Sequence, residues 1–176
     1  LGLPFEGEGK SIVPQPGSKS WSGLSLPWMA FGYSISLTPL QTLTLYNAVA
    51  NNGEMVKPIF VQEIKEWNKT IKKFDKVVIN PKICSTETIS KVKAVLENTV
   101  KRGTGSKLYS PNFSMAGKTG TVQVNYGKGK DAASGMYYAS SFAGYFPADN
   151  PKYSCIVIIH KPSKSKGIYG ADVAGP

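Results

Sequence analysis

The sequence predicts an α+β domain in which an antiparallel sheet is flanked by helices, and three observations carry that prediction. Two segments, at about 38–50 and 85–102, repeat apolar residues at helical spacing between clear start and stop signals. After residue 103 the pattern changes to three extended apolar runs. The connections between those runs are short, or polar and glycine-bearing, which implies antiparallel pairing.

Taken in order, residues 1–28 are dense in Gly, Pro, Ser and Lys and read as irregular coverage with a few turns. In the first helix Thr38 is the N-cap and Pro39 takes the first position. Leu40, Leu43, Tyr46 and Val49 or Ala50 form its stripe, and Asn52-Gly53 ends it. Lys57-Pro58 leads into a predicted short strand at 59–64, followed by a polar, lysine-rich excursion to about Pro81. Ser85 or Thr86 caps the second helix, with a stripe of Ile89, Val92, Val95, Leu96 and Val100. Glu87 at its start and Lys101-Arg102 before Gly103 suit the helix dipole. Strands are predicted at 114–125, 136–146 and 153–161, with a polar loop at 126–135 and a turn at 147–151. Residues 170–176 read as the approach to another helix.

Composition narrows the function. The apolar fraction of 41% excludes a disordered or fibrous chain, and 176 residues suffice for one domain with a sizeable core. No run approaches the roughly 18 apolar residues of a membrane-spanning helix, and Leu1-Gly2-Leu3-Pro4 lacks the features of a signal segment. Net charge is +10, but 21 basic residues less the single Arg102 leaves 20 lysines. Bidentate base and phosphate recognition favours arginine, so the charge reads as a solvated surface and no nucleic-acid partner is expected. Cys84 and Cys155 have neither metal-ligand spacing nor a CxxC pattern, so no metal is expected. Cys155, inside the apolar run 153–159, is expected to be a buried structural thiol.

One segment carries chemistry: Lys118-Thr119-Gly120-Thr121, with Gln123 following, on a predicted strand beside a loop-rich region. The Lys118 ammonium supplies positive potential, and the Thr119 and Thr121 hydroxyls can donate to carboxylate oxygens. Gly120 has no Cβ, so another backbone can approach it. At a sheet edge, such a strand could pair with an extended peptide. By itself Lys-Thr-Gly is a tripeptide that recurs by chance. A phosphate loop is excluded, because Asn112 stands where its first glycine should be and the segment that follows is β-like.

The wider context resolves this. Lys-Thr-Gly is the third of three motifs in serine acyl-transferases of the penicillin-binding and β-lactamase type. Leu26-Pro27-Trp28-Met29-Ala30-Phe31-Gly32-Tyr33 and Ser36-Leu37-Thr38-Pro39-Leu40-Gln41 precede it, as do Asn51-Asn52-Gly53 with Lys57-Pro58, and Gly103-Thr104-Gly105; Ser141-Phe142-Ala143-Gly144-Tyr145-Phe146-Pro147 follows it. In order and spacing these resemble the C-terminal part of the transpeptidase domain of class B penicillin-binding proteins, most similar to the FtsI-like, division-specific branch. Ser34 departs from the glycine that is usual there.

The resemblance implies a β-lactamase/transpeptidase-like fold, incomplete at the N-terminus and at the C-terminus, with 1–176 as the C-terminal portion of one domain. It implies D-alanyl-D-alanine transpeptidation through a serine acyl-enzyme, with no cofactor. Lys118 would set the charge and proton network. Thr119 and Thr121 would hold the terminal carboxylate of the donor or of a β-lactam, and the Thr121 N–H would be one oxyanion-hole donor. Gln123 would touch substrate or be a plain strand residue. The implied partners are peptidoglycan stem peptides, β-lactam antibiotics, the rest of the domain and wall-synthesis or division proteins. The parent would be anchored in the cytoplasmic membrane with this domain on the outer side.

The family's Ser-x-x-Lys and Ser-x-Asn motifs are expected before Leu1. Ser90-Lys91-Val92-Lys93 and Ser110-Pro111-Asn112 match those patterns, but Ser90 lies beside the apolar stripe on a face that Lys93 and Glu97 keep wet. A catalytic Ser/Lys pair needs partial burial. Ser163-Lys164-Ser165-Lys166 sits in a polar loop, and His160 at a strand end has no nucleophile in view. This chain alone is therefore expected to be inactive. A β-lactamase or β-lactam sensor of the same fold, and a non-catalytic interaction module, remain the alternatives.

Overall fold

The computed structural model describes residues 8–125 and 135–176. They form two compact units, one ending at Thr42 and the other running from Leu43 to Pro176.

In the first unit, α1 (Ser25–Ala30) begins within residues 1–28, the stretch expected to be irregular coverage, and runs past its end. Leu24 stands at its N-cap and makes no side-chain cap, so the sequence carries no start signal there. Trp28, Phe31 and Tyr33 gather behind it, with ring centroids 5.3 to 5.7 Å apart. Ser34 has φ 63°, the left-handed region in which glycine is the unstrained choice. At α2 (Pro39–Ala50) the Thr38 hydroxyl accepts from the Gln41 N–H at 3.2 Å. The Gln41 side-chain oxygen accepts from the Thr38 N–H at 2.9 Å, closing a capping box.

The second unit begins within α2. Asn52 and Gly53 take positive φ (55° and 96°), and the Gly53 N–H reaches back to the Ala48 carbonyl at 2.8 Å. β1 (Met55–Val56) pairs antiparallel with β4 (Val78–Asn80); between them β2 (Glu63–Glu66) and β3 (Lys69–Lys73) form a hairpin. The expected strand at 59–64 is thus corrected, since regular pairing starts only at Glu63. Every residue of the hairpin strands is exposed, so no alternation marked them, and Trp67, not glycine, takes positive φ at the turn.

α3 (Thr86–Arg102) is capped by Ser85, whose hydroxyl accepts from the Thr88 N–H at 3.1 Å. Ile89 and Val100 are buried, but Val95 is 64% exposed and lies off the expected stripe. Lys93 and Glu97, expected on a wet face, are half-buried. β5 (Ala116–Val124), β6 (Tyr137–Phe146) and β7 (Tyr153–His160) form an antiparallel sheet in that order. The expected loop at 126–135 lies, up to residue 134, outside the described residues. α4 (Gly170–Val173) is a single turn at the predicted helical approach.

Two clusters make the core. Val49, Ile89, Ala116 and Tyr145 join α2, α3, β5 and β6, while Val100, Phe142 and Ala174 join α3, β6 and the end of the chain. Cys155 corrects its expectation: it is exposed. β7 forms the far edge of the sheet, and its covered side holds Ser154, Ile156 and Ile158, out of phase with the thiol. Both cysteines are free.

Candidate functional site

β5 pairs on one side only, with β6, and its other edge is unpaired among the described strands. Along it Lys118 faces Ala143, Thr119 faces Phe142, Gly120 faces Ser141 and Thr121 faces Ser140. Strand alternation puts Thr119, Thr121 and Gln123 on one side and Lys118 and Gly120 on the other.

Lys118 is exposed, and its long side chain bends back along the edge. Nζ donates to the Thr119 carbonyl at 2.9 Å and lies 3.4 Å from both the Thr119 and the Thr104 hydroxyls. The Thr119 hydroxyl in turn donates to Thr104 Oγ1 at 3.1 Å. All of these partners are neutral oxygens, so the ammonium keeps its charge for an incoming anion. It also lies beside the end of α3, whose dipole favours a cation.

Thr104 is a residue of this cluster that the sequence pattern does not single out, although it lies between two glycines. Those glycines are the signal that could have found it. The N–H groups of Gly103 and Gly105 converge on the Thr99 carbonyl at 3.1 and 3.0 Å. A Cβ on Gly103 would sit 2.9 Å from Thr99 Cα and O. The loop is therefore drawn tightly onto the helix end, with one hydroxyl residue held between two tethers.

Thr121 is tied elsewhere. Its hydroxyl accepts from the Gly170 N–H at 3.2 Å, while the neighbouring Ser140 hydroxyl donates to the Ile168 carbonyl at 2.5 Å. Residues 168–174 thus lie over the Thr119/Thr121 side of the sheet. The space where Gly120 would carry a Cβ is taken by Ser141 Oγ at 2.5 Å, and Gly170 packs against the Gly120 backbone. Gln123 donates from Nε2 to the Tyr138 hydroxyl at 2.8 Å, across the strand pair.

The pattern matches outside this cluster are structural. Ser90 Oγ donates to the Thr86 carbonyl in its own helix, and Lys93 Nζ donates to the Ala50 carbonyl at 3.1 Å and to Asn52 Oδ1 at 2.7 Å. Lys93 so completes the C-terminus of α2, and burial pulls its ammonium below the usual lysine range. Ser110 Oγ accepts from the Asn112 N–H in a local turn. Ser163 and Ser165 bond to each other, and His160 is exposed at the end of β7. Among the described residues no group of three or more His, Cys, Asp or Glu side chains could hold a metal ion, and no helix is long and apolar enough to cross a membrane.

Comparison with known proteins gives one consistent match. The family model described as the penicillin binding protein transpeptidase domain matches residues 1–176. Stage V sporulation protein D of Bacillus subtilis is 33% identical over 184 residues, covering 99% of this chain and 26% of that protein. The peptidoglycan D,D-transpeptidase FtsI of Buchnera aphidicola (strain Bp) is 32% identical over 177 residues, covering 100% of this chain and 28% of that protein. Among solved structures, penicillin binding protein 3 of Mycobacterium tuberculosis, crystallised with aztreonam, superimposes with a TM-score of 0.76 at 30% identity. That match covers 99% of this chain and 40% of the other. The chain spans about a quarter of the length of these curated relatives.

Proposed function

This chain belongs to the penicillin-binding protein transpeptidase family, and from that premise we propose that it forms one wall of the active site of a peptidoglycan D,D-transpeptidase. A single observation carries the reading. At the edge of β5 that no other described strand pairs with, an exposed ammonium, Lys118, bonded among the described residues to neutral oxygens, stands beside hydroxyls that can meet a carboxylate.

In this reading the terminal carboxylate of a D-alanyl-D-alanine stem peptide, or of a β-lactam, binds against Lys118 and the Thr119–Thr121 segment. A serine oxygen attacks the carbonyl carbon of the penultimate D-Ala, the C–N bond breaks, and terminal D-Ala leaves carrying a proton. An amine from a neighbouring stem then attacks the ester and returns the serine. The Thr121 N–H is one donor to the developing oxyanion, a contribution worth about 3 kcal/mol where single donors have been removed. Gln123, held by Tyr138, keeps the strand in register more than it touches substrate. No step calls on a cofactor.

The nucleophile comes from protein outside these 176 residues, since Ser90 is bonded to its own helix and Lys93 to the end of α2. In this reading the whole protein is anchored at the membrane, acts on its outer side and works with other wall-building proteins in a division role.

A fluorescent penicillin tests this. The full-length protein should be labelled covalently on a serine upstream of Leu1, and the 176-residue chain should not. Labelling at Ser90 sinks the assignment of the nucleophile, and an unlabelled full-length protein sinks the enzyme reading.

A further inference from the structure

We propose, resting on the reading just given, that the β2–β3 hairpin is a second binding site of this protein, in a sheet separate from that of β5, and that it holds an anionic glycan polymer. Its tip residue Trp67 would stack on a sugar ring while the lysines beside it meet the polymer's carboxylates.

Stability does not account for this hairpin. Every residue of β2 and β3 is exposed, and neither strand pairs with any other described strand. A two-stranded ribbon that buries nothing adds little to a core. Its two-residue turn also sets Trp67 at φ 51°, in the left-handed region, where hairpin turns favour glycine and a bulky side chain is strained. The indole is 95% exposed, so no packing offsets that strain. A large flat ring held out at a strained tip is a feature that serves a ligand.

The charges beside it define the ligand. The two strands carry Lys65, Lys69, Lys72 and Lys73 against Glu63 and Glu66. Lys65 pairs with Glu63 at 2.7 Å, and Lys72 lies 4.8 Å over the Phe74 ring. Lys69 and Lys73 have no ion-pair partner among the described residues, so their charge is available to an anion. Register puts Glu63, Lys65 and Lys73 on one side of the hairpin and Glu66, Lys69 and Lys72 on the other, so neither side is a continuous apolar face. A membrane surface calls for such a face and repels glutamates. A protein interface calls for a packed apolar patch around its aromatic anchor. A thin polymer with spaced carboxylates and hydroxyls needs neither: the indole takes the C–H face of a sugar, the ammoniums take carboxylates, and the glutamates accept from hydroxyls.

The test uses the full-length protein, first acylated with a penicillin so that its catalytic cleft is blocked. Three probes are compared: soluble, uncross-linked peptidoglycan strands with their stem peptides, the same strands stripped of stem peptides, and phosphatidylglycerol vesicles. The intact strands should bind best, and more weakly as salt is raised. Trp67→Gly, and Lys69→Ser with Lys73→Ser, should each raise the Kd for intact strands about tenfold, whereas Trp67→Tyr should keep it within about threefold. Trp67→Gly should melt no lower than the parent, because glycine suits the positive φ, so its loss of binding is not a loss of fold. Unchanged strand binding in Trp67→Gly, or equal binding of intact and stripped strands, overturns the proposal while leaving the transpeptidase reading standing. Vesicle binding that Trp67→Gly abolishes, without strand binding, also overturns it and assigns the hairpin to a membrane. If the unsubstituted protein is not acylated by the penicillin, the transpeptidase reading fails and this inference fails with it.

Discussion

The hydroxyl of Thr121 accepts a hydrogen bond from the backbone N–H of Gly170 at 3.2 Å, joining the candidate site to a segment 49 residues further along the chain. Gly170 makes this contact because nothing projects from it. A Cβ there would lie 2.2 Å from the Ser141 carbonyl oxygen and 2.9 Å from that of Gly120. Both are backbone atoms of paired strands and cannot step aside. Gly170→Ala should therefore cost about 1–3 kcal/mol, as overpacked sites do. In urea unfolding the midpoint should fall with an unchanged slope; a midpoint equal to that of the parent chain would refute the contact.

Gly120 is constrained by a softer neighbour. Its missing Cβ would meet Ser141 Oγ at 2.5 Å, with the Ser141 Cβ at a relaxed 3.9 Å. Gly120→Ala should destabilise the chain, and Ser141→Ala should relieve most of that loss. A double-mutant cycle checks this, with a favourable coupling of about 1 kcal/mol expected. Additive effects would mean that Ser141 is not the obstacle.

Tyr145 is fully buried, and its hydroxyl has no hydrogen-bond partner among the described residues. Burial first, and the charge of Glu97 second, push its phenol up to about 12. The folded state thus holds this proton more tightly than the unfolded chain, where the phenol titrates near 10. The associated stability is complete below about pH 10 and is lost as pH rises through about 12. Tyr145→Phe should lack that alkaline loss and be at least as stable as the parent at pH 7, since it removes an unsatisfied polar group. The check is unfolding free energy against pH for both chains; parallel curves above pH 10 would refute it.

Ser85 closes the N-terminus of α3 through its bond to the Thr88 N–H. Ser85→Ala should cost about 1 kcal/mol, and Ser85→Asp should recover it, because aspartate both caps and suits the helix dipole. Thermal melts decide this. An alanine variant as stable as the parent would show that the neighbouring Thr86 takes over the cap.

Much of the scaffold was legible before the fold was known, for local reasons. Thr38 with Pro39, Asn52-Gly53, and Ser85 with Gly103 are start and stop signals that act within a few residues of themselves. The three strands of the main sheet were visible as apolar runs broken by polar loops. The hairpin at 63–73 was not, because its strands bury nothing and its turn lacks glycine. α1 escaped because no side chain caps it. Cys155 was misjudged because an apolar run shows that a strand exists without showing which of its sides is covered.

Sequence alone determined the chemistry on offer at Lys118-Thr119-Gly120-Thr121, and its order among neighbouring motifs pointed to the family, since residue identity and spacing survive without coordinates. Only the tertiary structure decided how those groups are committed. It put β5 at an edge, brought Thr104 from the end of α3 to the Thr119 hydroxyl, and set Gly170 on Thr121. The physical reason is that a hydroxyl's donor and lone pairs are claimed by whatever lies within about 3 Å. Contacts between residues 15 and 49 positions apart are created by packing, and no local pattern announces them.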